Sequence, residues 1–462
     1  RAEWLAAVSA EAEVGLSFCG VTALEDRLQD GVPEAVASLR EAGIRVWVLT
    51  GDKVETAVEI AKSCRLFEDG MQLCSSVGAS SPKDAIARLS PGLAGGATSA
   101  PRGMVLDGPS VTHVLSDVGA RKALYGLAEE SSSCVCCRLS PMQKRELVEL
   151  VRQQNSRAVT LSIGDGANDV PMIQGAHIGV GIRGKEGSAA VQACDMAVSQ
   201  FRFLGNLVFV HGRKAYRRIA TFLCFFIYKS VVLGWSYILY ACSVHFLGRL
   251  SYPEWLDILW NPLTSGAAVL LLAFDSDYAD KVALRSPWLY EPGHKREYLN
   301  GRVFLKWVCL ASLHGILAWQ LPATVLASSE EARLEQTPEF WEASYTAFTV
   351  IFVTIHLKLL LATEQSITAL GAGLVVLEVL AYLPITAFLG SPQATSLSPE
   401  LSKPFNVVLK VLTSRRTLLL IVFVPCAALL VDLLEVAWRC RERRRRPRFT
   451  EPLEDSGSSS AE

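Results

Sequence analysis

The sequence predicts two fold classes in succession. Residues 1–207 read as α/β with a doubly wound parallel sheet, and residues 208–440 as an all-α, polytopic membrane domain of about six helices. Three observations carry this. Short apolar strands alternate with amphipathic helices in the first part. An apolar run, Ala158 to Ile163, leads straight into the loop Gly164-Asp165-Gly166-Ala167-Asn168-Asp169. The second part holds six apolar runs, each long enough for a helix of about 20 residues to cross the hydrocarbon.

Bulk properties agree. The net charge is -1, so no global field points to nucleic acid as a partner. With 50% apolar and 20% charged residues, mean hydropathy is +0.28, too greasy for an ordinary soluble protein, and the excess lies in the second half. The chain has 12 Cys, and Cys134-Val135-Cys136-Cys137 is their one cluster. It lacks a second pair at zinc-like spacing, so it reads as a buried strand, and nothing suggests a disulfide framework. The chain opens at Arg1 with neither Met nor signal peptide and is expected to be a fragment.

Taken in order, Leu16 to Thr22 reads as a strand. Asp30 is expected to cap a helix that Pro33 helps to start, with Val36 and Leu39 facing inward and Gly43 as its stop. Ile44 to Leu49 is the next strand and runs into Thr50-Gly51-Asp52-Lys53. That loop offers a hydroxyl and backbone N–H groups to a phosphate, and the helix from Val54 to about Cys64 adds its N-terminal dipole. Taken alone, the four residues are equally a plain turn. Residues 69–102 lose periodicity and fill with Ser, Gly, Ala and Pro, which reads as a variable insertion.

Met104 to Asp107 and Cys134 to Cys137 are further strands. After Arg138, Ser140 caps a helix with Pro141 in its first turn. Lys144, one turn in, points back toward the strand ends, where it can neutralise a phosphoryl oxygen; in isolation it reads first as a solvated helix lysine, and the phosphate reading gains weight only beside the two loops. In the loop after Ile163, Gly164 and Gly166 allow a sharp turn. Asp165 and Asp169, with Asn168 beside the second, repel unless a cation lies between them. The usual hard cation held by one or two carboxylates plus phosphate oxygens is Mg²⁺. Such a loop at the carboxyl end of a parallel strand is where open α/β sheets bind ligands. Ile178 to Ile182 and Met196 to Val198 complete the strands.

Thr50, Lys144 and the Asp165/Asp169 pair thus converge at strand ends, which resembles the haloacid-dehalogenase phosphotransferase family. Thr-Gly-Asp-Lys, Gly-Asp-Gly-Ala-Asn-Asp and the run Glu25 to Glu34 together resemble the phosphorylation domain of P-type ATPases. Thr22 to Gln29, Cys136 to Pro141, Gln200 to Leu204, and Ser286 to Gly293 followed by Asn300 and Trp307 resemble its type IV class, the phospholipid flippases. The resemblance implies ATP and Mg²⁺ as cofactors, with Asp165 and Asp169 as metal ligands. It implies Thr50, Gly51, Asp52, Arg138, Lys144, Asn168 and Asp169 around the phosphates, Thr50 and Lys144 acting in catalysis. A phospholipid is the implied substrate, and a small membrane-protein subunit, of the kind flippases often need, the implied partner. The family's nucleophile, the Asp of an Asp-Lys-Thr-Gly-Thr motif, does not occur in this sequence. Neither do its nucleotide-binding insertion, actuator domain and first four membrane helices. Covalent catalysis needs its nucleophile, so the fragment alone is expected to be inactive.

The six apolar runs are Ile219–Phe246, Trp255–Phe274, Val303–Leu326, Phe340–Leu361, Ile367–Leu389 and Leu418–Trp438. Arg213, Lys214, Arg217 and Arg218 precede the first, basic residues from Lys281 to Arg302 lie between the second and third, and Arg439 to Arg448 follow the last. That bias sets those flanks, and the phosphate-handling domain, on the cytoplasmic side; Arg415 and Arg416 run against it. The tail, residues 441–462, is basic and then Ser/Glu-rich, and is expected to be disordered and in reach of anionic headgroups. Lys229 is the sharpest polar residue in a span: a lysine there is a functional hypothesis, on the lipid path, by default. The alternatives are a lysine snorkelling to the boundary, or one paired with a carboxylate outside this chain. Asn261, Pro262 and Thr264 lie mid-way in the second run, Asp275 and Asp277 at its end, and His356 and Lys358 at the end of the fourth. Glu378, inside the fifth, reads as a packing feature before a transport residue.

Three functions compete: a phospholipid flippase; a cation pump of the same superfamily; and a non-catalytic membrane remnant that binds a partner. A cation pump needs carboxylates within its spans to replace the ion's water shell. The first run has none, and the second has only Asp257, before its apolar centre.

Overall fold

A computed structural model describes residues 28–90, 101–184, 188–363, 369–391 and 407–445, with isolated positions before 22 and position 393. The chain separates into two units, Arg1–Leu204 and Gly205–Glu462.

The first unit is built on seven strands, all paired in parallel. They are β1 (Val46–Leu49), β2 (Gln72–Ser76), β3 (Arg102–Asp107), β4 (Ser133–Cys137), β5 (Leu161–Gly164), β6 (Ile178–Ile182) and β7 (Met196–Val198). One sheet has the order β1-β4-β3-β2, the other β5-β6-β7. Helices α1 (Val32–Glu41), α2 (Val54–Ser63), α3 (Pro82–Leu89), α4 (Gly108–Ser116), α5 (Val118–Glu130), α6 (Pro141–Gln154), α7 (Val170–Gly175) and α8 (Ala189–Ala193) connect them.

Parallel strands covered on both faces have no solvated side, so apolar residues occupy both parities. Strand β4 shows this. Cys134 and Cys136 pack with Met104, Leu106 and Leu147 on one face, while Val135 and Cys137 pack with Ala57, Ala61 and Val105 on the other. The cysteine cluster is therefore a core strand.

Three expectations change here. Of the strand expected over Leu16 to Thr22, positions 16, 18 and 22 lie outside the described residues, and the four described positions are not in a strand. Helix α1 is entered through Gly31, at φ 80, with no side-chain cap. Glycine takes that left-handed conformation without strain, so Asp30 is displaced from the capping position. Residues 69–102 are not merely an irregular insertion. They include β2, which pairs with β3 from Gln72 to Ser76, and α3, whose N-cap Ser81 accepts from the Asp84 N–H. An edge strand of Gln, Ser and Cys shows little apolar alternation, which hid it. Residues 91–100 lie outside the described ones.

The second unit is helical: α9 (Arg213–Ser243), α10 (Glu254–Phe274), α11 (Gly301–Leu326), α12 (Pro338–Ala362), α13 (Ala369–Leu389), α14 (Val407–Thr413), α15 (Arg415–Ala428) and α16 (Leu430–Arg445). Helices stand at all six expected positions. Among the described residues, the stretches Phe203–Ser243, Gly301–Leu326 and Pro338–Ala362 are long and apolar enough to cross a membrane; a fourth span results if α15 and α16, bent by 48°, count as one. The last apolar run is thus two helices rather than one continuous helix, and Pro425, just before the break, removes a helix hydrogen bond. Helix α16 continues past position 440, and residues 446–462 of the expected tail lie outside the described ones.

Candidate functional sites

In the first unit the loops at the carboxyl ends of β1 and β4 are stitched together. The Thr50 N–H donates to Cys136 O at 2.9 Å, Arg138 N–H to Asp52 O at 2.9 Å and Leu139 N–H to Thr50 O at 3.0 Å. Arg138 makes this approach in the left-handed region, at φ 52. The Thr50 hydroxyl donates to Asp52 Oδ2 at 2.6 Å and accepts the Asp52 N–H at 3.1 Å. Thr-Gly-Asp-Lys is therefore an ordered hydroxyl-and-amide loop rather than a free turn. Gly51 and Asp52 stand exposed on it.

From Leu139 the chain enters α6 through a full capping box. Ser140 accepts the Gln143 N–H, and the Gln143 side chain accepts the Ser140 N–H. This fixes the direction of Lys144. It is not a solvated helix lysine: it is 8% exposed, and its Nζ donates to Asp169 Oδ1 at 2.7 Å. Asp169 can come that close because position 164 is glycine, where a Cβ would lie 2.5 Å from both Cβ and Oδ2 of Asp169. Asp165, exposed on the same loop, meets no hydrogen-bond donor among the described residues. Asn168 is exposed beside it.

This donor set suits Mg²⁺. One carboxylate is open and the second is anchored by a cation through one oxygen. No group of three or more His, Cys, Asp or Glu among the described residues forms a closed cage. Magnesium keeps waters and phosphate oxygens in most of its positions and takes one or two carboxylates from protein. Asp107, also at a strand end, is already committed. It caps α4 through the Ser110 N–H at 3.1 Å and takes the Gly78 N–H at 2.8 Å. Burial disfavours its charge, yet these bonds outweigh burial and hold its carboxyl below the usual range.

In the second unit Lys229 is 1% exposed, so it does not snorkel. Its Nζ donates to Asn261 Oδ1 at 3.0 Å, Thr264 Oγ1 at 3.1 Å and Ser265 Oγ at 2.7 Å, all on α10. Asn261 and Thr264 were flagged by the sequence as polar residues; Ser265 was not. The basic cluster in the first turns of α9 is engaged in ion pairs. Arg213 Nη1 donates to Asp277 at 3.0 Å, Arg217 to Asp275 at 2.5 Å, and Lys214 pairs with Asp280. Sequence reasoning also missed Asp432 of α16, 2% exposed, which pairs with Lys358 and lies 3.5 Å from His314. A single Asp in an apolar run gives no sign of its partners.

The architecture defines a class: a haloacid-dehalogenase-like α/β unit followed by a region of apolar helices. Residues 1–89 match the haloacid dehalogenase-like hydrolase family, and residues 191–447 match the family described as phospholipid-translocating P-type ATPase C-terminal. The chain belongs to the phospholipid-translocating P-type ATPases. It is 35% identical over 362 residues to a phospholipid-transporting ATPase of Schizosaccharomyces pombe, covering 77% of the chain and 29% of that protein. It is 34% identical over 390 residues to phospholipid-transporting ATPase ID of Homo sapiens, covering 79% and 32%. For probable phospholipid-transporting ATPase 4 of Arabidopsis thaliana the values are 35% over 383 residues, 79% and 31%. The chain spans about a third of the length of these relatives.

Proposed function

We propose that the chain is the carboxyl part of an ATP-driven phospholipid flippase that works through an aspartyl-phosphate cycle. The family uses ATP and Mg²⁺ in general; here Mg²⁺ would be held by Asp165 and Asp169, and it would offset charge on the transferred phosphoryl group. Lys144 neutralises phosphoryl oxygens while fixing Asp169 in place. Thr50, with Gly51 and Asp52, presents a hydroxyl and amides, and Arg138 and Asn168 border the same strand ends. The observation that carries this reading is the Lys144–Asp169 contact with Asp165 open beside it.

The nucleophilic Asp is not in this sequence. Strands β1 and β5 each have one edge unpaired among the described residues, and both end in these loops. A further parallel strand between them would bring its own carboxyl end to Thr50 and to Asp165 together, which is where the nucleophile is expected. In the helical unit, Lys229 and its α10 cage lie on the lipid path and meet the phosphate of the headgroup. The phosphate-handling unit, the basic start of α9 and the flank after α10 face the cytoplasm, and a small membrane subunit accompanies the transporter. The cation-pump reading has less support: Asp257 is engaged by Tyr237, Asp432 by Lys358 and Glu378 by His356. The test is phosphoenzyme turnover and labelled-lipid uptake in the full-length protein. Mg²⁺-dependent turnover stimulated by a phospholipid supports the proposal; turnover stimulated only by a metal cation contradicts it.

A further inference from the structure

Glu378 of α13 does more than fill space. One of its oxygens lies 2.6 Å from His356 Nε2. The other faces Gly266 of α10, where a Cβ would lie 2.8 Å from it. Gly266 directly follows Ser265, whose hydroxyl takes the hydrogen bond from Lys229. A polar seam therefore runs from α9 through the notch in α10 to α13 and α12.

The hydrogens of this seam can be counted. His356 Nδ1 lies 2.7 Å from the carbonyl oxygen of Phe352, which only accepts, so Nδ1 carries a hydrogen. The 2.6 Å contact on the opposite side needs a second hydrogen, on Nε2 or on the carboxyl group. In either arrangement the pair holds one proton more than a neutral imidazole facing a carboxylate, and its charges sum to zero. Burial favours a neutral pair over a single buried charge.

We propose that His356 and Glu378 form a neutral, proton-sharing brace, seated in the Gly266 notch, that holds the Asn261–Ser265 segment around Lys229 and leaves that ammonium's charge for a lipid phosphodiester. The proposal rests on the flippase reading. Glu378 is a positioning residue: it acts through α10, and it works by hydrogen bonding and shape rather than by negative charge.

The experiment is ATP-dependent translocation of fluorescent phosphatidylserine, phosphatidylethanolamine and phosphatidylcholine by the full-length transporter in vesicles. Glu378→Gln preserves the brace, because its amide donates to Nε2 while Nδ1 keeps its hydrogen; its lipid KM stays within about threefold of wild type. Glu378→Leu breaks the brace and raises lipid KM by about tenfold with the maximal rate within about threefold. A Glu378→Gln defect as large as that of Glu378→Leu overturns the proposal, because charge is then what matters. So does an unchanged KM in Glu378→Leu. Where Glu378→Leu does not fold, Glu378→Gln decides: a lipid KM raised about tenfold overturns the brace. A wild-type protein that moves none of the three lipids sinks the flippase reading itself, an outcome distinct from active wild type with indifferent variants.

Discussion

Lys144 and Asp169 meet at 2.7 Å, joining the helix after β4 to the loop after β5. Both side chains are mostly buried, and the carboxylate keeps its other oxygen away from the lysine. Under the proposed function, a lysine so held would serve two ends: it would orient one acidic ligand and present positive charge where phosphoryl oxygens arrive. Lys144→Ala is expected to lower phosphoenzyme turnover by about 10²-fold or more. Lys144→Arg recovers little, because a planar fork does not replace a compact ammonium in this space. Rapid-quench measurement of phosphoenzyme decay checks this; wild-type decay in Lys144→Ala would remove the residue from the site.

The acidic loop makes a separate prediction. Asp165→Asn raises the Mg²⁺ concentration for half-maximal ATP hydrolysis by about 10- to 100-fold. Gly164→Ala acts through Asp169, since the added methyl would collide with its Cβ and Oδ2 at 2.5 Å. It is expected to reproduce the Asp169→Asn phenotype in a Mg²⁺ titration. An unchanged Mg²⁺ requirement in Asp165→Asn contradicts the metal assignment.

How much of this was legible in the sequence depends on how local the signal is. The loops after β1 and β5 were readable because Gly, Asp and Thr at fixed offsets force a turn at a strand end. Lys229 was readable because a charge inside an apolar run stands out against its neighbours. Its partners were not, since Asn261, Thr264 and Ser265 are ordinary polar residues until α10 is packed on α9. Arg213 and Arg217 read as free flanking charges, yet Asp277 and Asp275 hold them across more than fifty residues of chain. Strand β2 was lost for lack of alternation, the break before α16 for lack of a strong helix stop, and the His356–Glu378 seam because its geometry is wholly tertiary.

That ion-pair block yields a stability prediction. Arg213 and Asp277 are each about 4% exposed at the side chain. Removing one partner strands a buried charge, so Arg213→Ala is expected to cost about 3–5 kcal/mol. Arg213→Ala with Asp277→Ala should cost less than the sum of the two single changes. Thermal unfolding of the detergent-solubilised protein measures this; strict additivity would mean that the pair does not interact.

Asp107 gives a pH dependence. Its folded-state pKa lies below the unfolded value, so its contribution is present above the ordinary carboxylate range and is lost as pH falls through the folded pKa. Asp107→Ala removes the α4 cap and costs about 1–2 kcal/mol at neutral pH, fading in acid. Hydrogen exchange at the α4 amides, followed from pH 7 down to pH 3, reads the difference. A gap between wild type and variant that widens in acid would contradict the assignment.

The most direct test joins the two units in one assay: ATP-dependent movement of labelled phospholipid by the full-length transporter, compared for wild type, Lys144→Ala and Lys229→Ala. The account expects movement in wild type, a loss of about tenfold or more in both variants, and phosphoenzyme formation retained in Lys229→Ala. Lipid movement at the wild-type rate in Lys229→Ala, or none driven by ATP in wild type, would contradict it.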